Sequence, residues 1–102
     1  SPATVTVTTA YAETREVVLP DGSRVTLNAN SSLSYRKSWR ASREREVELT
    51  GEAFFKVTSR PAGQHPKFRV HMPLADVEVT GTAFKESGPR AFLRVDAAPH
   101  GV

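Results

Sequence analysis

The chain has 102 residues, a formal net charge of +3 and no cysteine. Its length predicts a single domain with a modest core, and the absence of cysteine excludes disulfides, thiol nucleophiles and zinc sites built on cysteine. With 38% apolar and 25% charged residues, and no apolar run near the roughly 18 residues of a membrane-spanning helix, the composition is typical of a folded globular module.

Apolar residues recur with a period of two in every apolar run, starting near the N-terminus. The alternating pairs are Val5 and Val7, Val17 and Leu19, Val25 and Leu27, and Leu33 and Tyr35. Side chains in such a run point to opposite faces of a β-strand. Turn-forming residues at 20–23 and 28–32 separate the runs, so strands follow one another about every eight residues. This spacing predicts an all-β fold of the sandwich, barrel or solenoid type, with helix at most incidental.

One segment of the sequence occurs twice. Residues 47–54 read VELTGEAF and residues 77–84 read VEVTGTAF, so six of eight positions are identical. A third, degenerate copy comes first in the chain: its Val17 and Leu19 lie 30 residues before Val47 and Leu49. A period of about 30 residues is typical of one supersecondary unit stacked on itself, so the sequence predicts a solenoid-like stack of short strands.

A glycine lies in the middle of both full copies. Gly51 and Gly81 interrupt an otherwise regular strand pattern, which predicts a bulge or a sharp corner at each position. Both copies are then expected to turn the same corner. Phe54 and Phe84, three residues further on, are expected to fill equivalent positions in the core.

Four motifs, in order along the chain, resemble the FecR domain. They are LPDGSRVTLNANSSL at 19–33, REVELTGEAFFKV at 45–57, HPKFRV at 65–70 and VEVTGTAF at 77–84. The resemblance covers residues 12–84 and implies an all-β, solenoid-like domain in the periplasm. It also implies that the domain belongs to a single-pass protein of the inner membrane with an anti-sigma segment inside the cell. The start at Ser1, without Met, agrees with a piece of a longer protein.

The resemblance further implies that the domain relays a signal by binding proteins. Its implied partners are the signalling domain of an outer-membrane TonB-dependent transducer, for iron-siderophores or sugars, and a sigma factor bound through a cytoplasmic region absent from this chain. The alternative function is that of a secreted or cell-surface β module that binds carbohydrate or matrix, since architecture alone does not fix function.

The chain departs from the FecR pattern after Phe84. Residues 85–89 read KESGP where the pattern continues with alternating apolar residues. We therefore divide the chain into a FecR-like β domain at 1–84 and a divergent tail or last edge strand at 85–102. A solenoid without a cap leaves strand edges unpaired. We expect the chain to cover them by forming a homo-oligomer, through strand-edge pairing or exchange of residues Val5 to Thr9.

Residue types that serve in catalytic and metal sites are present but scattered. The three histidines each lack a second ligand at metal spacing. Glu44, Glu46 and Glu48 alternate along one predicted strand, which is typical of a solvated face. Neither a nucleophile elbow nor a phosphate-binding loop occurs. The sequence therefore predicts no catalytic residue, no cofactor and no metal, and a protein that is not an enzyme.

A cationic segment follows the fourth predicted strand. It contains Arg36, Lys37, Trp39, Arg40 and Arg43, with Arg45 just beyond. Arginine and tryptophan often carry binding energy, so these residues are candidates for docking a protein partner. The competing interpretation is that Trp39 is a lid on the core and the charges are merely solvated. Nucleic-acid binding is the rival class, and we predict none, because no nucleic-acid motif accompanies the basic residues.

Overall fold

The chain folds into nine β-strands in a computed structural model that describes residues 3–58, 60–79 and 90–96. The strands are β1 (Thr4–Thr8), β2 (Arg15–Val18), β3 (Arg24–Leu27), β4 (Ser32–Arg36), β5 (Arg45–Thr50), β6 (Glu52–Thr58), β7 (Phe68–His71), β8 (Asp76–Val79) and β9 (Arg90–Asp96). Within these residues there is no helix that is long and apolar enough to cross a membrane. The prediction of an all-β fold is confirmed.

The strands form two sheets. The five-stranded sheet has the order β1-β4-β5-β7-β8, and the four-stranded sheet has the order β2-β3-β6-β9. Neighbouring strands are antiparallel, except that β5 and β7 run parallel. A parallel pair needs a crossover connection, and here the chain makes it through β6 in the other sheet. The continuous run of β5 and β6 therefore ties the two sheets together.

Apolar side chains from both sheets form one core. Every second residue of β5 and β6 is buried, as an alternating strand pattern requires. The buried apolar residues are Val17, Leu19, Val25, Leu27, Leu33, Val47, Leu49, Ala53, Phe55, Val57, Phe68 and Val70. Burying each of the larger side chains contributes about 1.5–3 kcal/mol, so this cluster is the main source of stability.

The chain passes from the five-stranded to the four-stranded sheet at Gly51. The φ angle of Gly51 is +100°, a left-handed conformation that glycine adopts readily and other residues adopt rarely. A Cβ atom at this position would lie 2.2 Å from Ser31 Oγ, so the close approach of the two segments also requires glycine. The N–H of Glu52 donates to the Ser31 hydroxyl at 3.0 Å and holds the corner in place.

The 30-residue repeat is not confirmed. Its first copy lies in β2 of the four-stranded sheet, whereas the second copy begins in β5 of the five-stranded sheet. Gly81 and Phe84, in the third copy, lie outside the described residues. The solenoid-like stack therefore stays a prediction, while the two sheets are what the structure establishes.

The expectation that Phe54 fills a core position is wrong. Its side chain is 42% exposed, whereas Phe55 is fully buried. The reason is the corner at Gly51, after which the inward positions of β6 begin at Ala53 and continue at Phe55. Phe54 lies between them and faces outward, because neighbouring residues of a strand point to opposite faces.

Residues Arg90–Asp96 form β9, an edge strand of the four-stranded sheet. β9 pairs antiparallel with the whole of β6, from Glu52 opposite Asp96 to Thr58 opposite Arg90. The backbone of β6 is thereby paired on the side away from β3. This pairing covers a strand edge that would otherwise invite another chain. The division of the chain between residues 84 and 85, and the homo-oligomer, stay predictions.

Candidate functional site

The cationic segment lines a cleft of about 810 Å³ on the five-stranded sheet. Four cationic residues line one part of the cleft, namely Arg36, Lys37, Arg40 and Arg43. Another part is lined by acidic residues just before and within β5 and by a histidine of β7, namely Glu44, Glu46, Glu48 and His71. Trp39 also contributes to the wall. The structure therefore brings all five candidate docking residues of the segment to one cleft.

The charges of the cleft are unevenly balanced. Within residues 3–58, 60–79 and 90–96, none of the four cationic side chains makes an ion pair. By contrast, Glu44 is paired with Arg69 at 3.0 Å and Glu46 with His71 at 2.7 Å. The hydrogen bond from Arg69 lowers the pKa of Glu44, so this carboxylate stays ionised. Glu48, which also lines the cleft, makes no ion pair among the described residues, so four unpaired cations stand against one unpaired carboxylate. This excess of positive charge attracts and orients anionic surfaces.

Trp39 lies at the boundary between the cleft and the core. Its ring makes edge-to-face contacts with Tyr35 and Phe68, with ring centroids 6.4 and 6.0 Å apart. Trp39 is half-buried and packs against the core cluster. Phe68 in turn packs edge-to-face against Phe55 at 5.9 Å, so the aromatic contacts run from the cleft into the core. This geometry favours the lid interpretation for the indole ring.

Trp39→Ala is expected to lower the free energy of unfolding by about 2 kcal/mol, because it removes two aromatic contacts and opens one end of the core. Trp39→Phe keeps an aromatic ring and should recover most of this loss. Urea denaturation of the three proteins measures the effect. An unchanged stability of Trp39→Ala would show that the indole is not a lid.

Arg60 holds the backbone of the cationic segment. Its guanidinium donates hydrogen bonds of 2.7 to 3.1 Å to the carbonyl oxygens of Arg40, Ala41, Arg43 and His65. Burial, and then the nearby charge of Arg45, lower the pKa of Arg60. These bonds keep the segment in one shape and so reduce the entropy that its side chains would lose on binding. Arg60 belongs to none of the sequence motifs, and nothing in its sequence context indicated this function.

Arg45, which the sequence grouped with the cationic segment, is not a surface residue. It is fully buried, and its guanidinium donates to Asp21 Oδ2 at 2.8 Å and to the carbonyl oxygens of Thr58 and Pro66 at 2.5 and 2.8 Å. Asp21 also accepts from the N–H and the hydroxyl of Ser23. The motifs LPDGS, REVEL and HPKF therefore meet at one buried ion pair. Arg45 therefore stabilises the fold and is not free to contact a partner.

A second polar cluster crosses β5, β7 and β8. The Nε2 atom of His71 lies 2.7 Å from Glu46 Oε1, and its Nδ1 atom lies 3.1 Å from Asp76 Oδ2. The hydrogen bond with Glu46, and then that with Asp76, raise the pKa of His71 against the effect of burial. Sequence spacing could not show the contact with Glu46, which depends on the parallel pairing of β5 with β7, whereas Asp76 lies opposite His71 in the antiparallel pair of β7 and β8. In the described part of the chain, no three residues among His, Asp and Glu are arranged to hold a metal ion.

His71 should make the domain more stable at acidic than at mildly alkaline pH. A raised pKa in the folded chain means that folding favours the protonated ring. The stabilisation is therefore fully present below the ordinary pKa of 6.5 and is lost as the pH rises through the folded-state pKa. Urea denaturation between about pH 5 and 8 should show this slope, and His71→Gln should remove it. His65→Gln, at a histidine outside the cluster, is the control and should keep the slope.

The two-sheet fold recurs in two crystal structures of a proposed anti-sigma factor from Parabacteroides distasonis. One structure is similar to this chain with a TM-score of 0.74, at 31% sequence identity and over 96% of the chain. The other has a TM-score of 0.72, at 32% identity and over 94% of the chain. The chain spans only 40% and 39% of the two solved chains. No curated protein matches the chain.

The sequence of the chain also matches a family model. The family described as FecR protein matches residues 5–97, which is most of the chain and extends into β9. The chain belongs to the FecR family. The resemblance that the four motifs indicated is confirmed.

Proposed function

We propose that this domain relays a signal without catalysis, as the periplasmic part of a single-pass regulator in the inner membrane. It receives the signal from the signalling domain of an outer-membrane TonB-dependent transducer. The regulator binds its sigma factor through a cytoplasmic region outside this chain. Membership of the FecR family and the likeness to a proposed anti-sigma factor support the proposal.

The observation that carries the proposal is the cationic cleft. Four exposed cations lie within eight residues, from Arg36 to Arg43, and none has an ion-pair partner in the described part of the chain. The segment is not a loose loop, because Arg60 bonds to its carbonyl oxygens. Charges held in a fixed frame give fast association and specificity at a protein interface. A protein surface with exposed carboxylates is the partner that fits them.

Binding of the transducer's signalling domain, measured by titration calorimetry, tests the proposal. Lys37→Ala and Arg40→Ala should each weaken binding about tenfold, because each removes an exposed cation from the cleft. Neither side chain makes an ion pair in the described residues, so the stability of the fold should not change. Arg15→Ala is the matched control, since Arg15 is an exposed arginine on β2 of the other sheet and makes no ion pair with any described residue.

Added salt should weaken the wild-type complex more than the Lys37→Ala complex, since screened charges lose their attraction. Equal affinities for the wild type and both variants would overturn docking at the cleft. Binding of a glycan or matrix component, without affinity for any signalling domain, would instead support the carbohydrate- or matrix-binding alternative.

Two further experiments test the remaining parts of the proposal. Protease accessibility of the full-length protein from the periplasmic side tests the location of the domain, and sedimentation tests whether the chain forms a homo-oligomer.

A further inference from the structure

Strand β1 is an edge of the five-stranded sheet, and its residues differ from those of the other edge strands. Its sequence, TVTVT, contains no charge, proline or glycine. The other edge strands, β2, β8 and β9, have the sequences REVV, DVEV and RAFLRVD, and each contains charged residues. Charges, prolines and bulges protect an edge from pairing with another strand. Among the edges in the described part of the chain, β1 alone lacks a charge.

The backbone bonds of β1 show which groups face away from its neighbour. Lys37 N–H donates to Ala3 O at 3.0 Å, and Thr9 N–H donates to Ser31 O at 2.9 Å. In an antiparallel pair, bonded positions alternate with positions whose backbone groups point outward. Since Ala3 and Thr9 are bonded to the β4 side, Val5 and Val7 are bonded as well. The N–H and C=O groups of the threonines between them, Thr4, Thr6 and Thr8, therefore point to the open edge.

The side chains of β1 also indicate a missing neighbour. Val5 and Val7 lie on the core side of the strand, and Val7 packs against the core cluster. Both valines nevertheless remain only half-buried. A strand beside β1 would cover them with its own side chains, as cross-strand neighbours do within a sheet.

Positive charge lies next to the same edge. Thr4 is opposite Arg36, and Ala3 is bonded to Lys37, so both cations flank one end of β1. Neither makes an ion pair within the described residues. An added strand with carboxylates would compensate them. A second copy of the chain would instead bring a further net charge of +3, so charge complementarity favours an acidic occupant.

We propose that an extended, acidic segment of a protein partner adds to β1 as a sixth strand of this sheet. Its backbone bonds to the outward N–H and C=O groups of Thr4, Thr6 and Thr8. Its carboxylates pair with Arg36 and Lys37. The inference rests on the proposed function, because it names the kind of partner segment that the surface next to the cationic cleft accepts.

Hydrogen exchange followed by NMR tests the inference with a synthetic peptide of about eight residues that alternates valine with glutamate. Binding should slow the exchange of the Thr6 and Thr8 amides about tenfold or more, since these N–H groups gain an acceptor. The amides of Val5 and Val7, already bonded to β4, should change little. A peptide with lysine in place of glutamate should not protect these amides from exchange. A glutamate peptide in which alternate amides are N-methylated should not protect them either, because it lacks the N–H groups that would bond to β1.

Thr6→Pro removes one outward N–H and leaves the bonds between β1 and β4 in place, so the affinity for the glutamate peptide should fall about tenfold. Thr6→Val is the matched control. It keeps the N–H and loses only the hydroxyl that lies 3.0 Å from that of Ser34, so its affinity should equal that of the wild type. If Thr6→Pro does not fold, the N-methylated peptide answers the same question on the wild-type chain.

The outcomes separate this inference from the proposed function. If Lys37→Ala lowers the affinity for the transducer domain and Thr6→Pro does not, the inference of a sixth strand is overturned. Docking at the cleft is then still supported. A transducer domain that binds the wild type and both Lys37→Ala and Arg40→Ala with equal affinity would overturn docking at the cleft. Transducer domains that do not bind the wild type at all would overturn the proposed function, even if the peptide protects Thr6. Equal protection by the lysine peptide would refute the acidic requirement. The wild-type chain could also self-associate in a way that Thr6→Pro abolishes, while the peptide protects no amide of β1 from exchange. That result would show that a second copy of the chain, and not an acidic segment, pairs with the β1 edge.

Discussion

Arg45→Met should lower the free energy of unfolding by about 3–5 kcal/mol, which is a large part of the stability of a domain of this size. Methionine fills much of the volume of the arginine side chain, so the loss does not come from a large cavity. It comes from Asp21, whose carboxylate stays mostly buried without its cation, and from the carbonyl oxygens of Thr58 and Pro66, which lose their donor. Urea denaturation followed by circular dichroism measures the change.

Arg24→Met is the control for Arg45→Met. Arg24 is an exposed arginine whose ion pair with Glu16 is 3.5 Å long, so its removal should cost about 0.5 kcal/mol or less. Asp21→Asn combined with Arg45→Met should cost less than the sum of the two single variants, because both remove the same ion pair. An Arg45→Met protein as stable as the wild type would mean that the buried ion pair does not hold the three motifs together.

The strands of this fold could be predicted because each follows from a local pattern. In β3 and β5, alternate apolar residues fit one buried face, and a shift of one residue would expose all of them. The assignment of strands to sheets could not be read in the same way. The corner at Gly51 moves the chain to the other sheet and resets which residues face the core, so Phe54 is exposed although its repeat position suggested burial.

The candidate site was predictable only in part, for a related reason. A cluster of cationic residues in one short segment is visible in the sequence, and the cationic residues from Arg36 to Arg43 do line one cleft. Arg45 is two residues further on and looks the same in sequence, but it begins β5 with its side chain on the buried face. Arg60 bonds to Ala41 and His71 to Glu46, and these partners are 19 and 25 residues away in the sequence, so only the folded chain shows the contacts. Burial and long-range pairing separate a structural arginine from a surface one.

Gly51→Ala should lower the free energy of unfolding by about 3 kcal/mol or more, since two separate penalties add at this position. The first is backbone strain, because a residue with a Cβ atom is unfavourable at a φ of +100°. The second is steric, because the new Cβ would lie 2.2 Å from Ser31 Oγ and 2.7 Å from Ser31 Cβ. Thermal or urea denaturation measures the total.

Gly63→Ala separates these two penalties. Its φ of +93° is close to that of Gly51, and nothing lies within 4 Å of the position that its Cβ would take. The control therefore has the backbone strain without the clash and should cost about 1 kcal/mol. Equal losses in Gly51→Ala and Gly63→Ala would show that the segments around the corner move apart easily, and that the contact with Ser31 does not fix the corner.

Ser31→Gly in the Gly51→Ala background tests the contact itself. It removes the Oγ and Cβ atoms that the new methyl group meets, but Ser31 Cα, at 2.8 Å, remains. It also removes the hydroxyl that accepts from the N–H of Glu52. The rescue should therefore be partial, with the double variant more stable than Gly51→Ala and less stable than Gly63→Ala. Since Ser31 belongs to the first FecR motif and Gly51 to the second, such coupling would show that the two motifs stabilise the fold through one contact at the sheet corner.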